Sequence, residues 1–176
     1  MYRPDFETFC NLAKKANFIP VYKEFLADIE TPVTAYLKLK DKGYSFLLES
    51  AEGGEKWGRY SFIGCTPILI ITYQDERVKI SGPEGRDIYE RVNDPLPLLR
   101  ETLKEFHLAQ LSDLPRFQGG LIGYFSYDIV RCFERLPNIS IKDLSIPEAI
   151  FVLPKTLIIF EHVKHKVTIA STVASR

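Results

Sequence analysis

Three polar residues, Glu49, Ser50 and Arg59, are the ones in this sequence best suited to bind a small charged ligand. Glu49 and Ser50 end the strand-like run 44–50, and Arg59 begins a second strand-like run at 59–64. Brought together, Glu49 could face an ammonium group and Arg59 a carboxylate, while Ser50 donates or accepts a hydrogen bond, so the trio predicts a site for a zwitterion. In the alternative interpretation, Glu49 and Arg59 form an ordinary ion pair at the strand ends, which contributes little.

A second unusual segment, residues 117–125, combines three glycines with aromatic residues in a run that otherwise predicts a strand. Glycine inside a strand indicates a bulge or another backbone passing close by. The segment therefore fits a face on which a ligand or a neighbouring domain rests. It fits equally well with tight packing beneath aromatic side chains, and both interpretations stay open at this point.

Motifs of the common catalytic classes are missing from the sequence. There is no P-loop and no G-x-S-x-G elbow, and Gly119-Gly120-x-x-Gly123 is only half of a dinucleotide-binding fingerprint. The carboxylates are scattered, so no acid–base pair can be selected. Cys10, Cys65 and Cys132 lie far apart, which favours small buried hydrophobes over a disulfide framework or a zinc site. No catalytic residue and no metal ligand is assigned in this chain.

The composition is that of a globular protein without a dominant charge. Of the 176 residues, 45% are hydrophobic and 26% are charged. This length has room for one sizeable domain or two very small ones, and we expect a single domain over residues 1–176. The 23 basic residues balance the 23 acidic ones, so no net field attracts nucleic acid or an anionic membrane. No apolar run reaches the roughly 20 residues of a membrane span, and the first residues do not resemble a secretory signal. We expect a soluble cytoplasmic protein.

Periodicity predicts an α+β fold with a largely antiparallel sheet, because strands follow strands and the helices are grouped between them. Two helix starts are well marked, with Thr31 and Asp94 as N-caps followed by proline at the first helical position. The last strand is followed by no closing element, which is typical of one domain of a longer protein. The predicted helices cover 4–16, 31–39, 95–106 and 128–135, and the predicted extended segments cover 18–22, 44–50, 59–64, 68–73, 77–80, 117–125, 149–153, 156–160 and 167–172.

Taken in order, several of these segments resemble the N-terminal domain of anthranilate synthase component I, a family of chorismate-utilising enzymes. The resemblance covers nearly the whole chain; each motif is modest alone, and the ordered set is specific. The matching stretches are Thr31–Leu37, Phe46–Glu55, Gly58–Gly64, Gly119–Arg131 and Phe133–Pro137.

The resemblance implies that residues 1–176 form the N-terminal part of a two-part α/β sandwich enzyme. In that family a larger chorismate-binding domain follows and carries the catalytic residues and a Mg²⁺ site, so this segment alone is expected to be inactive. The whole enzyme of that family, a lyase of tryptophan biosynthesis, converts chorismate and ammonia into anthranilate and pyruvate. The ammonia comes from glutamine through a glutamine amidotransferase subunit, which is the implied partner together with the chain's own C-terminal domain.

A feedback site for the inhibitor L-tryptophan is also implied by the resemblance. The Leu-Leu-Glu-Ser segment helps to form that site in the family, at the seam between the two parts of the enzyme. The implied residues are Leu48, Glu49 and Ser50, of which Ser50 is the firmest match, and, from related enzymes, Arg59, Tyr60 and Ser61.

Two other interpretations of the sequence remain. One is the corresponding domain of aminodeoxychorismate synthase component I in folate synthesis, although the long polar loop at 52–56 looks more like the tryptophan enzyme. The other is a free-standing small-molecule binding module without a catalytic partner.

Overall fold

The secondary structure comes from a computed structural model that describes residues 1–27, 29–40, 43–49, 58–82, 87–137 and 146–175. Over these residues the strands with defined register pair antiparallel, which confirms the predicted α+β fold. The helices are α1 (Phe6–Ala13), α2 (Pro32–Leu37), α3 (Leu96–Glu105) and a 3₁₀ helix (Tyr127–Cys132). The strands are β1 (Phe18–Leu26), β2 (Phe46–Leu48), β3 (Tyr60–Gln74), β4 (Arg77–Ser81), β5 (Asp87–Arg91), β6 (Ile122–Phe125), β7 (Ala149–Glu161) and β8 (Lys166–Ala174).

Hydrogen bonds arrange the strands in the order β1-β8-β7-β3-β4-β5, with β2 on β3 and β6 on β7. Within β3 and β7 the chain passes from one compact unit to another, beside Pro67 and Pro154, two residues that have no N–H for the strand ladder. The first unit comprises residues 1–67, 106–119 and 154–176, and the second comprises 68–105 and 120–153.

In the first unit, β1 pairs with β8 along its whole length, from Phe18 opposite Ala174 to Leu26 opposite Lys166. Helix α2 starts as predicted: the Thr31 hydroxyl accepts a hydrogen bond from the backbone N–H of Thr34 at 3.2 Å, in a reciprocal capping box. The deepest aliphatic side chains of the unit include Ile19, Ile63 and Ile159.

The second unit is built around a core formed by Ile71, Tyr73, Val78, Leu99 and Ala149. Leu99 brings the apolar face of α3 onto β3 and β4. Its start is also as predicted, since a carboxylate oxygen of Asp94 accepts a hydrogen bond from the N–H of Leu96 at 2.9 Å.

Strand boundaries differ from the sequence prediction at several places. The separate strands predicted on either side of Pro67 and Pro154 are continuous in β3 and β7, and β5 was not predicted. The predicted strand at 117–125 shortens to β6, because Gly119 and Gly120 have φ of 152° and 135° and leave the extended conformation. The short helix predicted at 128–135 is the 3₁₀ helix.

The cysteines are less buried than predicted. Cys10 lies on the exposed side of α1, so its interpretation as a buried hydrophobe is wrong, and Cys65 and Cys132 are only partly buried. No helix in the described part of the chain is long and apolar enough to cross a membrane.

Candidate functional site

The predicted site begins where β2 ends. Leu48, the last residue of β2, pairs with Phe62 of β3 and is 43% exposed. Glu49 follows it and is also exposed, and none of the ion pairs between described residues includes it. Ser50 lies outside the described residues. The predicted carboxylate is therefore accessible to a ligand from solvent.

Arg59 immediately precedes β3 and forms its ion pair with Glu161, the last residue of β7. The guanidinium Nε donates to Oε1 of Glu161 at 3.1 Å, and Nη2 donates to the same oxygen. This hydrogen bond raises the pKa of Arg59 above its ordinary value, and the guanidinium also lies 5.1 Å from the centre of the Tyr60 ring. The alternative interpretation of a Glu49–Arg59 pair is thus wrong about the partner.

Ser61, the next predicted residue, is 2% exposed. Its hydroxyl lies 2.8 Å from Nε2 of His162, whose own side chain is at the surface. The backbone N–H of His162 donates to the carbonyl oxygen of Arg59 at 2.9 Å. Two predicted site residues, Arg59 and Ser61, therefore form hydrogen bonds with Glu161 and His162, two consecutive residues at the end of β7.

Glu161 and His162 were not selected from the sequence. Each lies about 100 residues from its partner, 102 for Glu161 and 101 for His162. No local motif surrounds either residue. Selecting them would require knowing that β7 lies beside β3 in the sheet.

Tyr60 begins an aromatic row in the first unit. Its ring centre lies 6.0 Å from that of Phe62, and Phe62 meets Phe117 edge-on at 5.1 Å. The row supports Tyr60 in a half-buried position beside the Arg59 guanidinium. This arrangement can bind an anion at the guanidinium and apolar surface at the rings.

An apolar cavity of about 650 Å³ also lies in the first unit, and none of the predicted site residues lines it. Its charged lining residues, Glu30 and Lys38, form an ion pair with each other. The other lining residues come from the sheet, from α2 and from the segments beside it: Phe25, Leu26, Ala27, Ile29, Ala35, Leu39, Ile158, Phe160, Val167 and Ile169.

Comparison with known proteins agrees with the resemblance seen in the sequence. No protein-family model matches the chain. Anthranilate synthase component 1 of Acetivibrio thermocellus is 37% identical over 169 residues, which is 96% of this chain and 34% of that protein. The protein of the same name from Thermus thermophilus is 44% identical over 154 residues, 83% of this chain and 30% of that protein.

A solved structure supports the same relationship. The crystal structure of anthranilate synthase component I from Streptococcus pneumoniae TIGR4 matches 81% of this chain and 30% of its own chain, with a TM-score of 0.51 and 26% sequence identity. The chain spans about a third of the length of the curated relatives it matches. Over most of its residues the chain is therefore similar, in both sequence and fold, to about one third of the length of anthranilate synthase component 1 proteins.

Proposed function

We propose that the chain is the N-terminal part of an anthranilate synthase component I and provides one half of its tryptophan-binding feedback site. The complete enzyme would convert chorismate and ammonia into anthranilate and pyruvate in the cytoplasm, with the ammonia released from glutamine by an amidotransferase subunit. The observation that carries this proposal is the 37% identity over 96% of the chain to a protein named for that component.

The chemistry of chorismate is assigned to the remainder of the enzyme. The resemblance implies that the Mg²⁺ site lies in the second domain, and we assign it to that remainder as well. Among the described residues, no group of three or more His, Cys, Asp or Glu side chains is placed to hold a metal ion. The contribution of residues 1–176 is regulation and support for the second part.

The proposed ligand half-site consists of the end of β2 and the start of β3. Exposed Glu49 is available to the ammonium group of tryptophan, and Arg59, with 40% of its side chain exposed, to the carboxylate. Leu48 and Tyr60 add apolar surface. A ligand held between two parts of an enzyme shifts their arrangement only by its difference in affinity for the two arrangements, which is how binding here would reduce turnover.

The activity is tested by supplying chorismate and glutamine to the complete protein with its amidotransferase and following the fluorescence of anthranilate. We expect anthranilate from the complete enzyme and none from residues 1–176 alone. Formation of aminodeoxychorismate instead would contradict the proposal.

The feedback site is tested by Ser50→Arg in the complete enzyme. We expect loss of tryptophan inhibition with uninhibited turnover nearly unchanged, because a large cation fills the tryptophan site and does not contact the catalytic residues of the second part. Ser112→Arg is the matched control, since Ser112 is an exposed serine outside the proposed site. Loss of inhibition and turnover together in Ser50→Arg would indicate a role in folding instead.

A further inference from the structure

We propose that Glu161, together with the Ser61–His162 hydrogen bond, positions Arg59 to bind the carboxylate of the ligand. The inference rests on the proposed function, and it assigns different roles to Arg59, which precedes β3, and Ser61, which lies in β3, although the sequence grouped them together. Arg59 contacts the ligand. Ser61, at 2% exposure, does not; it acts through His162 as a positioning residue.

Three contacts join the start of β3 to the end of β7. Arg59 binds Glu161 through its side chain, the N–H of His162 donates to the carbonyl oxygen of Arg59 at 2.9 Å, and Ser61 binds His162 at 2.8 Å. Glu161 therefore fixes the side chain of Arg59, and His162 fixes its backbone. A cation held in this way loses little conformational freedom when it binds a ligand.

One edge of the guanidinium remains available. A guanidinium has N–H groups on three nitrogens, and Glu161 takes hydrogen bonds from Nε and Nη2. Nη1 has no hydrogen-bond partner among the described residues, and the face of the group is supported by the Tyr60 ring. Arg59 can therefore donate to a carboxylate without releasing Glu161.

The charge of Glu161 does not cancel the attraction of this site for an anion. Lys164 lies in the turn after β7, with its ammonium nitrogen 3.7 Å from Oε1 of Glu161. Arg59, Lys164 and Glu161 together leave one net positive charge. Glu161 is also the more buried partner, with 16% of its side chain exposed against 40% for Arg59, which suits a supporting group behind a binding group.

The test is the inhibition constant of tryptophan in the complete enzyme carrying Glu161→Gln. We expect that constant to rise roughly tenfold, because the charged hydrogen bond that orients Arg59 is weakened, while uninhibited kcat and the KM for chorismate stay unchanged. Glu76→Gln is the matched control: it breaks an ion pair with Arg91, of 3.0 Å, in the second unit, and should leave inhibition unchanged.

A double variant separates positioning from a general structural effect. If Glu161 acts only through Arg59, Glu161→Gln should add nothing to the rise caused by Arg59→Gln. Additive effects would overturn the inference. His162→Ala provides a second variant at an exposed residue and should raise the inhibition constant by a smaller factor, about threefold.

The outcomes also distinguish this inference from the proposed function. A wild-type enzyme inhibited by tryptophan, with unchanged inhibition constants in both Glu161→Gln and His162→Ala, would overturn the inference and leave the feedback site standing. A wild-type enzyme that tryptophan does not inhibit would overturn both.

Discussion

Phe46 of β2 lies over Gly64 of β3, its partner in the strand register. A Cβ atom at Gly64 would lie 2.1 Å from Cε1 of the Phe46 ring, a separation that van der Waals contact does not permit. Only glycine lets the ring settle against β3. This contact packs β2 against β3 directly before Leu48 and Glu49.

Gly64→Ala should therefore destabilise the protein by about 1–3 kcal/mol, the usual cost of overpacking a well-filled region. The Phe46 ring must move, and the pairing of β2 moves with it. Urea denaturation measures the loss. Gly82→Ala is the matched control, because a Cβ at Gly82 meets nothing within 4 Å, and an equal effect of both changes would refute the explanation.

Gly123→Ala should be the more harmful change. A Cβ at Gly123 would lie 1.8 Å from the backbone oxygen of Ile150 in β7. A strand backbone moves less readily than a side-chain ring such as that of Phe46. We expect a loss of about 3 kcal/mol or more, with β6 detached from β7. Hydrogen exchange of the β6 amides measures the detachment. Protection equal to that of the wild type would contradict this prediction.

Asp5 should make the stability depend on pH in the acid range. Its carboxylate accepts a hydrogen bond from the N–H of Thr8 at 2.8 Å, which lowers the pKa of Asp5 below its ordinary value. The stabilisation is fully present above the unfolded-state pKa of about 3.9 and is lost as the pH falls through the lower folded-state pKa. The difference in stability between wild type and Asp5→Ala should shrink over that interval. NMR titration of Asp5 gives the pKa directly, and a value at or above that of a model peptide would exclude the effect.

Tyr73 should affect stability in the alkaline range. Its hydroxyl donates to the carbonyl oxygen of Asn93 at 3.1 Å, and burial, followed by the hydrogen bond with Cys132, raises the pKa of Tyr73 well above its ordinary value. Its stabilising effect is complete below pH 10, where the unfolded chain begins to ionise, and declines as the pH rises towards the folded-state pKa. Tyr73→Phe should cost about 1 kcal/mol at neutral pH.

Unfolding in urea between pH 8 and 11 tests the alkaline effect of Tyr73. The wild type should lose stability relative to Tyr73→Phe as the pH increases through this range. Parallel curves for the two proteins would show that Tyr73 ionises as readily in the folded state as in the unfolded one.

Local features of the fold could be predicted from the residues nearby. Thr31 caps α2, as expected for a threonine followed by proline at a helix start. Asp75 and Glu76 turn the chain between β3 and β4 with φ of 49° and 58°, in the gap between the predicted extended segments 68–73 and 77–80. Each of these depends on interactions over a few residues, so sequence was sufficient.

Strand lengths and side-chain partners could not be predicted in this way. Strands were predicted to end at Pro67 and Pro154, yet β3 and β7 continue through them. Gly119 and Gly120 read as part of a strand, yet their positive φ values exclude them. At Pro67 and Pro154 pairing with the neighbouring strands continues the ladder, and those strands are distant in the sequence.

The amino-acid sequence by itself determined the fold class and the family resemblance, and it predicted a half-site centred on Glu49 and Arg59, because caps, turns, alternation and ordered motifs are properties of short segments. Only the tertiary structure decided that Arg59 is held by Glu161 and Ser61 by His162, 102 and 101 residues away. The physical reason is that alternation along a strand shows which residues share a face, whereas the strand lying beside that face is selected by packing of the whole sheet.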